Sequence, residues 1–137
     1  MKTQSLMGRR VRAVALCLGL AVSWTCAKRG TYESMAAVGS GISMAGTVKT
    51  FVSAFYAETG RLPSSNAEAH VAEVPLSGPY VSSVAIAPGG VVVVTFTADS
   101  HLTGKTLELT PAIDGSGLTW SCKGGTVPAE YRPPLCR

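Results

Sequence analysis

The feature that most constrains the fold is a pair of cysteines in the last stretch of the chain. Cys122 ends the segment LTWSC, in which apolar and polar residues alternate with the period of a half-buried β-strand. The residues between Cys122 and Cys136 are rich in glycine and proline and cannot build a core of their own. We therefore predict a Cys122–Cys136 disulfide, which in the chain-entropy model stabilises a loop of about 15 residues by roughly 3 kcal/mol. Such a bond forms outside the reducing cytoplasm.

The charge distribution argues against a nucleic-acid partner. The net charge of +4 comes from Lys2, Arg9, Arg10 and Arg12, which precede every acidic residue. Removing these four from the twelve basic residues leaves eight, and these balance the eight acidic residues. The remaining chain therefore lacks the basic footprint of a nucleic-acid-binding protein. With 46% hydrophobic and 15% charged residues among 137, it is typical of a single globular domain.

The first part of the chain reads as a targeting segment. Its basic residues precede an apolar run, residues 13–27, which is shorter than the roughly 20 residues of a transmembrane helix. We predict a signal-like targeting segment over residues 1–27 and a globular domain over residues 28–137. Cleavage between them would remove Cys17 and Cys26 and leave an even pair of cysteines. An uncleaved membrane-resting helix and a lipid-anchored Cys26 are the alternatives.

A single amphipathic helix is predicted over residues 31–59, where apolar residues recur every three or four positions. Gly60 suits a left-handed helix cap, and Pro63 bars continuation. Ser65 and Glu68 have the spacing of a capping box and predict one further helical turn. The predicted apolar stripe of the helix comprises Met35, Val38, Ile42, Ala45, Val48, Val52 and Phe55.

Four strands are predicted after the helix, and short turns between them imply antiparallel pairing. The valine-rich strand would be an aggregation hazard at an edge, so we place it centrally, with Val92, Val94 and Phe96 on one face. The apolar face of the sheet needs the helix as its partner, which predicts an α+β fold. The strand segments are YVSSVAI at 80–86, VVVVTFT at 91–97, KTLELT at 105–110 and LTWSC at 118–122.

This order of parts resembles the globular region of bacterial type IV pilins. The resemblance is carried by VKTFVSAFYAETGRLPSSNAEA, YVSSVAI, GKTLELTP and WSCKGGTVPAEYRPPLCR, and it covers roughly residues 31–137. It implies an N-terminal helix packed on a four-stranded antiparallel sheet with a C-terminal disulfide-bonded loop. It also implies a structural subunit of a surface filament that acts in adhesion or motility. Its partners would be other pilin subunits and the assembly machinery, after export through the inner membrane to the cell surface.

The beginning of the sequence departs from the family pattern. Prepilins carry a short leader ending in glycine, then phenylalanine and an early glutamate, whereas here Gly8 is followed by Arg9 and the first acidic residue is Glu33. The prepilin residues therefore cannot be transferred to this chain. Two explanations remain open: a pilin-like domain exported by a different signal, or a reading-frame change that replaced the usual beginning.

The sequence offers no recognisable catalytic or metal motif. His70 and His101 are the two histidines, and neither belongs to a known nucleophile or zinc pattern. Cys122 and Cys136 lack the close spacing of paired zinc ligands. We therefore predict no enzymatic activity, no metal and no cofactor.

The disulfide loop is the candidate binding region, because binding residues often lie on loops held by a rigid scaffold. By analogy with the family, Lys123, Tyr131 and Arg132 are its candidate binding residues, for contacts with other subunits or with surfaces. The alternative is that the loop only covers an edge of the sheet. A second functional hypothesis is a soluble secreted or periplasmic binding module with a pilin head that does not polymerise.

Overall fold

The computed structural model describes residues 15–71, 76–97, 101–115 and 117–137, with side chains from residue 30 onward. Its elements are α1 (Ala15–Thr59), β1 (Val81–Ala87), β2 (Val91–Phe96), β3 (Thr106–Asp114), β4 (Gly117–Gly125) and the 3₁₀ turns η1 (Ala129–Tyr131) and η2 (Pro134–Cys136). Contacts divide the chain into two compact units, Met1–Tyr32 and Glu33–Arg137, and the sheet belongs to the second.

The helix begins earlier than the sequence predicted. The chain is already helical at Ala15 rather than near residue 31, and the intervening residues include no proline that would stop the helix. Residues 1–14 of the predicted targeting segment lie outside the described residues, and residues 15–27 are helical. A membrane-crossing helix, with enough length and enough apolar residues together, is not found within the described part of the chain.

The C-terminal part of α1 buries one face against the sheet. The predicted stripe is confirmed for its central members, which are buried or half-buried. Met35, however, is 41% exposed. The buried face at this turn runs through Ser34, Ala37, Val38 and Gly41, spaced three and four apart, and this leaves Met35 at its border. The central members are Val38, Ile42, Ala45, Val48 and Val52.

A glycine allows the helix to approach the sheet closely. A Cβ atom at Gly41 would lie 2.7 Å from the ring of Phe96, which points from β2 toward the helix. Real Cβ atoms do not approach carbon that closely, so a larger residue at position 41 would displace the ring or the helix. The contact explains why one weak helix former occurs in the middle of the packed face.

The sheet has four antiparallel strands in the order β1-β2-β3-β4, as predicted. The valine-rich β2 therefore pairs on both sides. Its core-facing residues Val92, Val94 and Phe96 are buried together with Leu107 and Leu109 of β3. The half-buried apolar residues of β4 complete the core, and they are Leu118, Trp120 and Cys122.

Strand β3 is longer than predicted and contains a proline. The prediction ended at Thr110, whereas the strand continues through Pro111 to Asp114. Pairing with β2 stops at Leu109, so at Pro111 the strand has a neighbour on the β4 side alone. The carbonyl of Thr106 accepts from amides on the β4 side, so by alternation the main-chain groups of Leu107, Leu109 and Pro111 point toward the β2 side. Its missing N–H therefore costs no ladder bond.

Candidate functional site

The predicted disulfide joins Cys122 of β4 to Cys136 of η2. The two Cα atoms are 4.8 Å apart, within the normal range for a bridged pair. Residues 126–137, which we call the C-terminal loop, therefore return along β4. The bond attaches η2 to the outer strand of the sheet.

A β-bulge occurs at the cysteine. The pairing of β3 with β4 shifts between Glu108 and Thr110, so Cys122 and Lys123 of β4 together oppose Leu109 of β3. A bulge of this kind bends the strand and changes the direction of its side chains. Cys122 remains half-buried against the core, whereas Lys123 is exposed.

Arg132 binds the main chain inside the C-terminal loop. Its side chain is buried, with 6% of the residue exposed. The guanidinium donates to three main-chain carbonyls: Nε to Val127 at 2.8 Å, Nη1 to Lys123 at 2.5 Å and Nη2 to Gly125 at 3.0 Å. Hydrogen bonds with a charged donor are about twice as strong as neutral ones. Arg132 therefore fixes the path of the backbone from the bulge to the loop.

Two further contacts attach the loop to the body of the domain. The amides of Thr126 and Val127 both donate to the carbonyl of Thr106, at 2.8 and 3.0 Å, which continues the β3–β4 pairing past the end of β4. The side chains of Val127 and Tyr131 are buried in the hydrophobic core. The first half of the C-terminal loop is therefore part of the core as well as a cover for the sheet edge.

The opposite edge of the sheet is covered by a different segment. We call residues 60–80, described except for 72–75, the αβ-loop. Asn66 of this loop lies against β1, where its Nδ2 donates to the carbonyl of Val84 at 3.1 Å and its Oδ1 accepts from the amide of Ile86 at 2.6 Å. One side-chain amide thus occupies the donor and the acceptor that a further strand would use.

The turn that carries Asn66 is capped at both ends. Ser65 Oγ accepts from the amide of Glu68 at 3.2 Å, as the predicted capping box requires. The Glu68 carboxylate, however, accepts from the amide of Ser64 at 2.6 Å instead of from that of Ser65. His70 has a positive φ of 57°. The amides of His70 and Val71 donate to the carbonyls of Ala67 and Asn66, which is the hydrogen-bond pattern of a Schellman ending.

Glu68 is the electrostatic centre of the αβ-loop. The amide of Ser64, then the Arg61 guanidinium and the Ser64 hydroxyl, lower the pKa of Glu68 from 4.5 to about 2. Arg61 forms an ion pair with the Glu68 carboxylate and lies over the ring of Phe55, with 4.9 Å from Cζ to the ring centroid. Glu68 therefore stays ionised over the whole physiological range and connects the end of α1 to the turn.

Comparison with known proteins gives the family. A model of the pilin family, described as a bacterial filament protein, matches residues 34–137. The chain belongs to the pilin family. It is also 31% identical over 112 residues to the fimbrial protein EcpC of Eikenella corrodens, an alignment that covers 77% of this chain and 72% of that protein. The recognition made from the sequence is confirmed, and the chain is a pilin subunit of a surface filament.

The three candidate binding residues of this pilin differ in their exposure. Lys123 is exposed, but Tyr131 is 9% exposed and Arg132 is buried with its donors occupied by carbonyls. Both are held inward because the loop is folded around them. Leu135 of η2 is 88% exposed, and Glu130 is exposed as well. The sequence indicated neither of these outward positions, since local pattern does not show which way an irregular loop turns.

The two histidines of this pilin lie in different segments of the domain. His70 is exposed in the αβ-loop, and the ring of His101 lies 6.0 Å from that of Tyr131, measured between centroids. Among the residues that the structure describes, no cluster of three or more His, Cys, Asp or Glu side chains could hold a metal ion.

Proposed function

We propose that this pilin acts in adhesion or motility through protein contacts made by its C-terminal loop. The family match over residues 34–137 supports contacts with other pilin subunits, since pilin filaments assemble from such subunits. The geometry of the loop supports its role as the contact surface. Its exposed side chains are presented by a backbone fixed by a disulfide, by Arg132 and by Tyr131. A preorganised loop loses little entropy on binding.

The contact residues we propose are Glu130 and Leu135 of the C-terminal loop, together with Lys123 of the adjoining bulge in β4. Leu135 is a large apolar side chain exposed on a short turn whose last residue is covalently attached to β4. Lys123 projects from the bulge immediately after the other cysteine of that bond. A protein interface commonly has an apolar centre and a polar rim, and we propose Leu135 for the centre and the two charged residues for the rim. Tyr131 and Arg132 contribute by holding the loop.

The proposal includes a route to the cell surface. Residues 1–27 would target the chain for export through the inner membrane, and residues 28–137 would form the exported domain. The disulfide supports this order, because such bonds persist in oxidising compartments. The pilus assembly machinery would then add the subunit to a filament.

Filaments sheared from the bacterium that carries this pilin, analysed by mass spectrometry, test incorporation. Peptides from residues 34–137 should be enriched in the sheared fraction relative to the periplasm and the culture medium. Their absence from filaments, with the chain present in the periplasm or the medium, would instead identify a free binding module with a pilin head.

A pair of substitutions tests the loop separately from assembly. Lys123→Glu combined with Leu135→Asp should reduce attachment of cells to surfaces several-fold while filaments still form. Lys105→Glu, a change at an exposed lysine outside the loop, is the matched control and should leave attachment unchanged. Equal attachment by both variants would show that the C-terminal loop is not the contact surface, whatever the result for incorporation.

A further inference from the structure

The contacts that hold the C-terminal loop do not need the disulfide. The Arg132 guanidinium binds carbonyls of residues 123, 125 and 127, all of which precede it in the chain. Val127 and Tyr131 are buried in the core, and the amides of Thr126 and Val127 pair with Thr106. Every one of these interactions is available to a chain with two free thiols.

Only a short and stiff segment separates these contacts from the second cysteine. Between Arg132 and Cys136 lie Pro133, Pro134 and Leu135, and the proline rings fix φ at two of the three positions. The amide of Cys136 donates to the carbonyl of Pro133 at 2.9 Å, and Nε of Arg137 returns to the carbonyl of Arg132 at 2.9 Å. Once the Arg132 side chain has formed its hydrogen bonds to the three carbonyls, Cys136 can occupy only a small range of positions.

We propose that the C-terminal loop docks around Arg132 before the two sulfurs join, so that oxidation locks a loop already in its final path. Arg132 is then the positioning residue for the Cys122–Cys136 bond. In the oxidation itself the two thiols lose two protons and two electrons, and an external disulfide accepts them as it is reduced to two thiols. The inference does not depend on filament assembly or on what the loop binds.

An arginine is needed at this position because of its shape. The planar guanidinium presents donors in several directions at once, and here Nε, Nη1 and Nη2 each bind a different carbonyl. A lysine keeps the charge, but its single ammonium group cannot reproduce this fork. Arg132→Lys therefore removes the positioning geometry while preserving the net charge. Arg61→Lys is the matched control, because Arg61 is exposed in the αβ-loop, at the opposite edge of the sheet from the two cysteines.

Hydrogen exchange tests whether the loop is docked without the bond. In the full-length Cys122→Ser/Cys136→Ser variant, the amides of Val127 and Arg132 should remain protected well above unfolded rates, and adding Arg132→Lys should remove that protection. The amides of β2, such as Val92 and Val94, report that the sheet stays folded. Loop amides that exchange at unfolded rates beside a protected sheet would overturn the proposal.

Oxidation kinetics test the positioning role and do not rely on the serine variant being folded. Reduced full-length protein is mixed with glutathione disulfide under native conditions, and formation of the intramolecular bond is followed by thiol trapping and mass. Arg132→Lys should slow this step by about tenfold or more, since 1.4 kcal/mol corresponds to a factor of ten and a charge-assisted hydrogen bond contributes about that much or more. Arg61→Lys should change it less than about twofold, because the side chain of Arg61 makes its contacts with Glu68 and Phe55 and not with the C-terminal loop. An unchanged rate in Arg132→Lys would show that the bond forms from an undocked loop.

Discussion

The two edge strands of the sheet, β1 and β4, are covered in different ways. An edge strand exposes unpaired amides and carbonyls that can recruit another chain. At the β1 edge, the side chain of Asn66 occupies the groups of Val84 and Ile86 that a neighbouring strand would use. At the β4 edge, the C-terminal loop is attached through Cys136 and returns along the strand. Asn66 covers one edge through hydrogen bonds, whereas the other edge is covered by hydrogen bonds and a covalent link.

The difference follows from how far each segment can form hydrogen bonds within its own main chain. The αβ-loop starts at a helix end and includes a capped turn, so local hydrogen bonds define much of its conformation. The C-terminal loop is mainly irregular and contains prolines that cannot donate hydrogen bonds. It is therefore held by core contacts and by Arg132, and the disulfide adds a covalent link to these contacts. The two edges should accordingly respond to different perturbations, with reductant acting at one and acid at the other.

The largest effect is expected from removing the covalent link. The Cys122→Ser/Cys136→Ser variant should lose about 2–5 kcal/mol of unfolding free energy, because the closed loop no longer restricts the unfolded chain. Urea unfolding followed by circular dichroism measures this loss. Wild-type protein unfolded with a thiol reductant should reach the same midpoint as the variant. An unchanged midpoint in both would show that the bond contributes no net stability at the β4 edge.

The next effect is expected at the other edge. Asn66→Ala should cost about 1–3 kcal/mol, because the carbonyl of Val84 and the amide of Ile86 lose their partner at a part-buried position. Asn66→Asp is the informative companion, since it can accept from Ile86 but an ionised carboxylate cannot donate to Val84. It should be destabilised as well, and the measurement is again urea unfolding.

The control for this prediction is a substitution at a neighbouring surface residue. A second measurement tests whether the two edges of the sheet are independent. Ala67→Ser, at an exposed position of the same turn, should stay within about 0.5 kcal/mol of wild type. If the two edges are separate, the cost of Asn66→Ala should be the same with and without reductant, because changes at sites that share no partners add. A cost that disappears on reduction would mean that the edges are coupled through the sheet.

The core of this fold was predictable because it follows from periodicity. The alternation in VVVVTF placed Val92, Val94 and Phe96 on the buried face, and the three- and four-residue spacing of the helix did the same for Val48 and Val52. The errors in the predicted bounds occurred where tertiary contacts override the local sequence pattern. The predicted strand ended at Thr110, but β3 continues through Pro111, which lies where β2 no longer pairs and where its missing N–H has no cost.

The candidate site was predictable in its covalent part alone. Two cysteines flanking a loop that cannot pack itself indicated the bond, and the bond is present. The direction of each side chain in the loop depends on the bulge at Cys122 and on the carbonyls that Arg132 meets, and neither follows a sequence period. Arg132 was named as a candidate binding residue by analogy with the family, whereas the structure buries it among carbonyl acceptors. The bridging role of Asn66 was missed for the same reason, since its partners lie eighteen and twenty residues away.

The smallest expected effect is a pH dependence at the αβ-loop. Glu68 has a folded-state pKa of about 2, below the value of 4.5 for an unperturbed glutamate. Its ionised form is therefore favoured by folding, and the stability it contributes is fully present above the unfolded pKa and is lost as the pH falls through the folded one. Unfolding of wild type and of Glu68→Gln is measured in urea between pH 7 and pH 2. The advantage of the wild type should be constant down to about pH 5 and should then shrink toward pH 2.

The same measurement on Glu58→Gln provides the control, because Glu58 is exposed at the end of α1. Its profile should follow that of wild type over this range. A wild-type advantage over Glu68→Gln that stays constant down to pH 2 would mean that the carboxylate and its partners at Ser64 and Arg61 add nothing through ionisation. The turn that presents Asn66 to β1 would then be held by its backbone caps alone, and acid would not distinguish the two edges.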